Sequence, residues 1–180
     1  MNDYCQPLNL KIFPLNKVII FDNIKKAGHY PIDVDLDVNP ALIKMLKSFG
    51  ILVCRAEAFY RTQNCKPWIH SDAMPGDYVK INWVVGGKDS IMQWFTVNPN
   101  IHKEITTNKL NTTVCLFDQS EVTLAYEEMI QSPSLVQVGA PHNIINPLED
   151  RICISLILAD TNNKKITMAN ARKILASLID

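Results

Sequence analysis

Apolar and polar residues alternate along most of this chain in short runs separated by turn-forming residues, a rhythm of period two that predicts strands. Residues 17–21, KVIIF, read as a first strand. Residues 32–38 alternate strictly, with Ile32, Val34, Leu36 and Val38 set against Asp33, Asp35 and Asp37, and are expected to form a half-buried strand. The three aspartates invite comparison with a calcium-binding EF-hand loop. That loop needs Gly at its sixth position and Glu at its twelfth, where this chain has Val38 and Lys44, so the comparison fails.

The period then changes. Asn39 as N-cap, Pro40 at the first helical position, Leu42, Ile43, Met45, Leu46 and Phe49 on one side and Gly50 as terminator predict a packing helix. Eight further strand-like runs follow, at 51–59, 67–72, 78–85, 90–97, 113–117, 121–126, 135–139 and 151–158. A closing helix is expected from about Thr167, with Met168, Ala171, Leu175 and Leu178 on the face that meets a sheet. Many short strands flanked by an N-terminal and a C-terminal helix predict a mainly β jelly roll with one face covered by helices.

Composition narrows the picture without adding chemistry. A chain of 180 residues, 47% of them hydrophobic, fits one domain spanning 1–180, and no repeat, low-complexity stretch or linker divides it. Eighteen basic and eighteen acidic residues cancel with no basic run or stripe, which argues against general binding to nucleic acid or anionic lipid. No apolar stretch is long enough to span a bilayer and the start lacks a signal-peptide pattern, so a cytoplasmic protein is expected. Five cysteines without a CxxC pair speak for free thiols.

Candidate chemistry begins with four histidines, two of which open a His-x-acid pair. His70-Ser71-Asp72 ends a predicted strand, where residues i and i+2 share a face and can converge on one ion. His102-Lys103-Glu104 lies in a polar, loop-like stretch, and His29 reads as a loop histidine. Since four histidines among 18 acids give about 0.4 such pairs by chance, the surroundings must decide. The apolar Trp68-Ile69 before His70 and the turn-like residues after Asp72 favour a ligand at the mouth of a barrel. A third ligand is expected from a distant strand, and His142 is the best candidate. Nine residues later Arg151 opens a strand in which Arg151, Cys153 and Ser155 share one face. A guanidinium on an inward face needs an anion, and a dicarboxylate supplies one in bidentate geometry. The competing reading is a rim Arg151 paired with Asp150 or Glu149.

The order HxD, then about seventy residues, then His, then Arg about ten further on resembles the pattern of the Fe(II)/2-oxoglutarate-dependent oxygenases on the double-stranded β-helix fold. YVKINWVVGGKDSIMQWF, with Asn82 and Trp94-Phe95, is similar to the strand pair after the first ligand in the aspartyl/asparaginyl β-hydroxylase-like branch and its small, often bacteriophage-encoded, relatives. The resemblance covers roughly residues 51–158. It departs in two places. Animal asparaginyl hydroxylases of that branch lack the acid that Asp72 provides, so their substrate does not carry over, and the usual Arg-x-Ser reads Arg151-x-Cys153, leaving Ser155 on the same face.

The resemblance implies His70, Asp72 and His142 as Fe(II) ligands and catalytic centre and Arg151 on the far carboxylate of 2-oxoglutarate, with Ser155 available as a second contact; Lys80 and Asn82 share one face of their strand and read as contacts to co-substrate or substrate, with a solvated Lys80 as the alternative. The implied activity is oxidative decarboxylation of 2-oxoglutarate to succinate coupled to C–H hydroxylation of a small-molecule or peptide substrate. Trp83, Trp94, Tyr60 and Tyr126 read as core or rim aromatics. Two other functions suit the same pattern: a cupin-like metalloenzyme with these ligands and no 2-oxo acid, and a non-catalytic jelly-roll binding or structural module.

Overall fold

A computed structural model of the chain describes residues 3–16, 24, 26–63, 65–72, 76–107, 113–130, 133–145 and 148–179. The strand expected at 17–21 lies outside them. In chain order the elements are β1 (Cys5–Pro7), β2 (Gly28–Ile32), α1 (Pro40–Ser48), β3 (Ile51–Arg61), β4 (Ile69–Asp72), β5 (Val79–Gly86), β6 (Ile91–Val97), β7 (Thr106–Thr107), β8 (Thr113–Phe117), β9 (Val122–Glu128), β10 (Ser134–Gln137), β11 (His142–Ile145), β12 (Arg151–Asp160) and α2 (Met168–Ile174). Among the described residues there are two antiparallel six-stranded sheets, one ordered β1-β10-β5-β12-β3-β2 and the other β7-β8-β4-β11-β6-β9, and two α-helices, in a mainly β sandwich. Among the described residues no helix is long and apolar enough to cross a membrane.

All eight runs between residues 51 and 158 form strands, because each has an apolar face to bury and turn residues at its ends. The predicted packing helix also forms: the Asn39 side chain accepts from the Ala41 N–H, and Gly50 follows with the positive φ of +76° that glycine tolerates. Residues 32–38 are the exception. β2 ends at Ile32, and the Asp33 carboxylate accepts the N–H groups of Asp35 and Leu36, closing a turn that leaves Leu36 71% exposed. The strand pattern fails there because an aspartate offers its own neighbours a hydrogen bond that competes with a ladder. Strands β1, β2, β7 and β11 carry no clear alternation and are not foreseen by the pattern.

The main apolar core lies outside the sandwich. Leu42 and Leu46 of α1 and Met168, Ala171 and Leu175 beside them pack on Ala56, Ala58, Ile81, Trp83, Ile154 and Leu156, the outward face of the first sheet. A smaller cluster with Met92, Trp94, Val136, Val138 and Ile144 fills one end of the space between the sheets. The inward face of the first sheet is polar, and that space is where the site forms.

Leu46 is fully buried, so Leu46→Ala is expected to cost about 2–5 kcal/mol. Asn39→Ala, which removes the cap and leaves the core untouched, should cost about 1 kcal/mol. Urea unfolding checks both, as a lowered midpoint at unchanged slope.

Candidate metal and co-substrate site

Antiparallel pairing sets the geometry. β11 pairs with β4 so that His142 stands opposite His70, and β6 brings Trp94 opposite His142 on the other side. His70 and Asp72, two apart on β4, therefore face inward with His142, while Ile69 between the sheets' outer contacts packs the other way with Phe95, Cys115 and Phe117. Ligand atoms of His70, Asp72 and His142 all lie within 4.8 Å of one another, and His70 Nε2 is 3.7 Å from Asp72 Oδ1. Neighbouring ligands each about 2.1 Å from an ion in octahedral geometry sit about 3 Å apart, so an ion draws this pair together by less than an ångström.

Each imidazole is oriented by its own strand. His70 Nδ1 is 3.3 Å from the Trp68 carbonyl and His142 Nδ1 is 2.9 Å from the Ala140 carbonyl, an acceptor two residues upstream in both cases. A proton on Nδ1 donating to that carbonyl leaves the Nε2 lone pair for a metal. The Trp68 ring stacks on His70 at 4.0 Å, and the two imidazoles lie 4.5 Å apart. Burial, reinforced by the neighbouring His142, pushes His70 down to about 3, and burial lowers His142 as well. Both are neutral bases, the protonation state that ligation requires.

Lys80 connects this donor set to the opposite sheet. Its Nζ lies 2.7 Å from Asp72 Oδ2 and 3.2 Å from Glu57 Oε2, with Lys80 and Glu57 both buried. Glu57 also receives Arg55 Nε at 2.9 Å and faces His29 Nε2 at 3.2 Å. Burial is the largest influence on both carboxyls and alone would raise them, but Lys80 together with His142 and His70 outweighs it at Asp72, and His29, Lys80 and Arg55 together outweigh it at Glu57, so both stay below the usual carboxylate range. The two acids in turn hold Lys80 above its ordinary value against the pull of burial. Asp72 is thus ionised, with Oδ2 held by Lys80 and Oδ1 toward the histidines.

Arg151 opens β12 and is 4% exposed. Its acidic neighbours are engaged elsewhere: Asp150 accepts from the Tyr60 hydroxyl and the Gln63 N–H, and Glu149 accepts from the Lys88 N–H. Among the described residues Arg151 Nε has no hydrogen-bond partner and Arg151 makes no ion pair, its side-chain contact with the Cys153 thiol being to a neutral group. Gly87 makes room for it, and Gly86 for the Asp150 carbonyl before it. Both have positive φ, and a Cβ on Gly87 would stand 2.7 Å from Arg151 Cβ and Cγ. Ser155 Oγ donates to Asn82 Oδ1 at 2.6 Å, which commits the Ser155 proton. Cys153 lies between Arg151 and Ser155 on this face, and burial pushes its thiol up.

A cavity of about 340 Å³ between the sheets is lined by His70, Asp72, His142, Lys80, Asn82, Arg151 and Ser155 together, with apolar Met92, Val114, Val138 and Ile144. All seven residues singled out in the sequence meet there. His102 and Glu104 lie outside it, and His70, Asp72 and His142 form the one potential metal-binding group among the described residues. His29 corrects its sequence reading: it sits on β2, stacked on Phe59 at 4.8 Å, and lines the cavity. Glu57 and Arg61 were not foreseen. Their only signal is position, since Arg55, Glu57, Phe59 and Arg61 share one face of β3, a pattern equally suited to a solvated surface.

Replacing Lys80 by Met removes the cation shared by the buried Glu57 carboxylate and the half-buried Asp72 carboxylate. A loss of about 3–5 kcal/mol is expected in urea unfolding at neutral pH, far more than an exposed lysine would cost.

The sequence matches no family model and no curated protein, so the chemistry of these side chains alone bears on what the protein does.

Proposed function

We propose that the protein is an Fe(II)- and 2-oxoglutarate-dependent oxygenase, a hydroxylase built on a double-stranded β-helix. One observation carries this reading: a two-histidine, one-carboxylate donor set shares a cavity with a buried arginine that has no ion-pair partner among the described residues. The donor set suits non-haem Fe(II), for which two imidazoles and one carboxylate leave adjacent positions open. Arg151 suits the far end of a dicarboxylate. A cupin-like enzyme without a 2-oxo acid has no use for a buried guanidinium of this kind, and a purely structural module has no use for either feature.

Strand order supports the fold assignment. Numbering β3, β4, β5, β6, β9, β10, β11 and β12 as one to eight, the first sheet runs six-three-eight-one and the second two-seven-four-five. A jelly roll interleaves its strands in this order, which supports that reading, with β1, β2, β7 and β8 as additions at the edges.

Bound Fe(II), with 2-oxoglutarate and oxygen, supplies the power to hydroxylate a C–H bond as 2-oxoglutarate loses carbon dioxide and becomes succinate. The chain's own residues do the positioning. His70 and His142 present Nε2, Asp72 presents Oδ1, and Lys80 keeps Asp72 charged and turned. Arg151 neutralises the co-substrate's far carboxylate, and the Asn82 amide, its oxygen satisfied by Ser155, offers N–H donors. Met92, Val114, Val138 and Ile144 limit water around the donor set.

Anaerobic Fe(II) plus 2-oxoglutarate should give a visible charge-transfer band, and His70→Ala should abolish it. A metal-loaded wild type without that band would favour the cupin-like alternative. Arg151→Leu should weaken 2-oxoglutarate roughly thirty-fold or more while sparing metal binding, with Arg151→Lys recovering only part of the loss because a point charge forfeits the fork. A second route to the same deficit is Gly87→Ala, whose methyl displaces the Arg151 stem. Calorimetry should show weaker 2-oxoglutarate binding with metal affinity unchanged.

A further inference from the structure

Glu57 is a buried acid to which the proposed reaction gives no part. It stands on the inner face of β3, 2% exposed, and is not among the residues that could hold the metal. Its carboxylate meets Arg55 Nε at 2.9 Å, His29 Nε2 at 3.2 Å and Lys80 Nζ at 3.2 Å. Arg55 comes from the same strand and His29 from the neighbouring β2, but Lys80 comes from two strands away. β12 lies between β3 and β5, its Ser155 paired with Glu57 on one side and with Asn82 on the other. Glu57 and Lys80 therefore span about 10 Å of sheet and meet over β12. The ladder hydrogen bonds of these strands do not need that contact, and burying a carboxylate to make it is costly.

What the contact changes is the ammonium. Lys80 holds Asp72 Oδ2 at 2.7 Å, and Asp72 is the one carboxylate of the metal-binding group. Ligation needs both imidazoles neutral, so a lysine that served Asp72 alone would cancel the only charge the donor set offers a dication. Glu57 restores it, because Asp72, Lys80 and Glu57 together carry a net charge of −1. Sharing also turns part of the ammonium's hydrogen bonding away from Asp72 and leaves more electron density on that carboxylate. Arg55 offsets little of this, since its side chain is 49% exposed and screened by water, whereas Lys80 and Glu57 are buried.

Resting on the metal-centre part of the oxygenase reading, we propose that Glu57 is a positioning residue for the metal: by sharing Lys80 with Asp72 it keeps Asp72 a strong donor and sets the affinity of the site for a divalent cation.

Co(II), titrated alone into the full chain and followed by its d–d absorption, reads that affinity without co-substrate or turnover. Glu57→Gln keeps the size of the side chain and an oxygen for Lys80 but loses the charge. It should weaken Co(II) about tenfold and shift the d–d bands, while thermal melting shows it to be folded. Glu57→Asp retains the charge and should recover most of the affinity. Because Glu57 acts through Lys80, the same Glu57→Gln change in a Lys80→Met background should alter Co(II) affinity less than about threefold. If Glu57→Gln alone does not fold, the double variant measured against Lys80→Met decides; if Lys80→Met does not fold, the comparison of Glu57→Gln with Glu57→Asp decides. A loss below about threefold in Glu57→Gln overturns the proposal, and so does Glu57→Asp binding as weakly as Glu57→Gln. A tenfold loss that persists without Lys80 overturns it as well, since Glu57 then acts on the metal directly or through the fold. None of these results touches the oxygenase reading. A wild type that binds no Co(II) removes the metal centre, and both readings fall with it.

Discussion

The Lys80 ammonium is the point on which the arrangement between the sheets depends. It reaches from β5 to Asp72 on the opposite sheet and to Glu57 on its own, so one cation joins the two layers and helps keep a buried and a half-buried carboxylate ionised. Charges this deep persist only as a connected set, because each loses water that its partners must replace. Glu57 meets this demand with three basic side chains around one carboxyl group. The polar interior is therefore a single unit, and the direction in which Asp72 points follows from a contact made on another strand.

A sandwich with a charged interior must find its stability elsewhere. Here the apolar faces of β3, β5 and β12 turn outward, beneath α1 and α2, and the fully buried Leu42, Leu46, Ile81, Ile154 and Leu156 lie there. The helices thus make it possible for the space between the sheets to be a cavity. Without them, the alternation of β12 would place Ile154 and Leu156 in water and Arg151 and Ser155 inside, the reverse of what burial favours.

Much of this was legible in the sequence, and each failure has a physical cause. Alternation located eight strands from 51 to 158, though not β7 or β11, and put Arg151, Cys153 and Ser155 on one face, as found. Spacing also picked out His70, Asp72 and His142, whose side chains meet although seventy residues separate the two halves of the set. Period two says that a strand has two unlike faces, but it does not say which one meets solvent. Glu57 and Arg61 were invisible for that reason: on β3 the charged face is the inner one. His29 was hidden because β2, GHYPI, has no alternation to mark it as a strand, and its place at the sheet edge is fixed by pairing with β3. At 32–38 the pattern was present and misleading, since Asp33 satisfied nearby N–H groups locally and no partner strand was needed.

The division of β12 into two faces also bears on how such a protein can change over evolutionary time. Ile152, Ile154 and Leu156 belong to the core under the helices, whereas Arg151, Cys153 and Ser155 face the cavity and contribute little to it. Neighbouring positions in one strand are consequently under separate selective constraints, one set for folding and one for chemistry. Mutations that retune the cavity wall can accumulate on a scaffold whose folding they barely disturb, so divergence in specificity requires few compensating changes elsewhere in the chain.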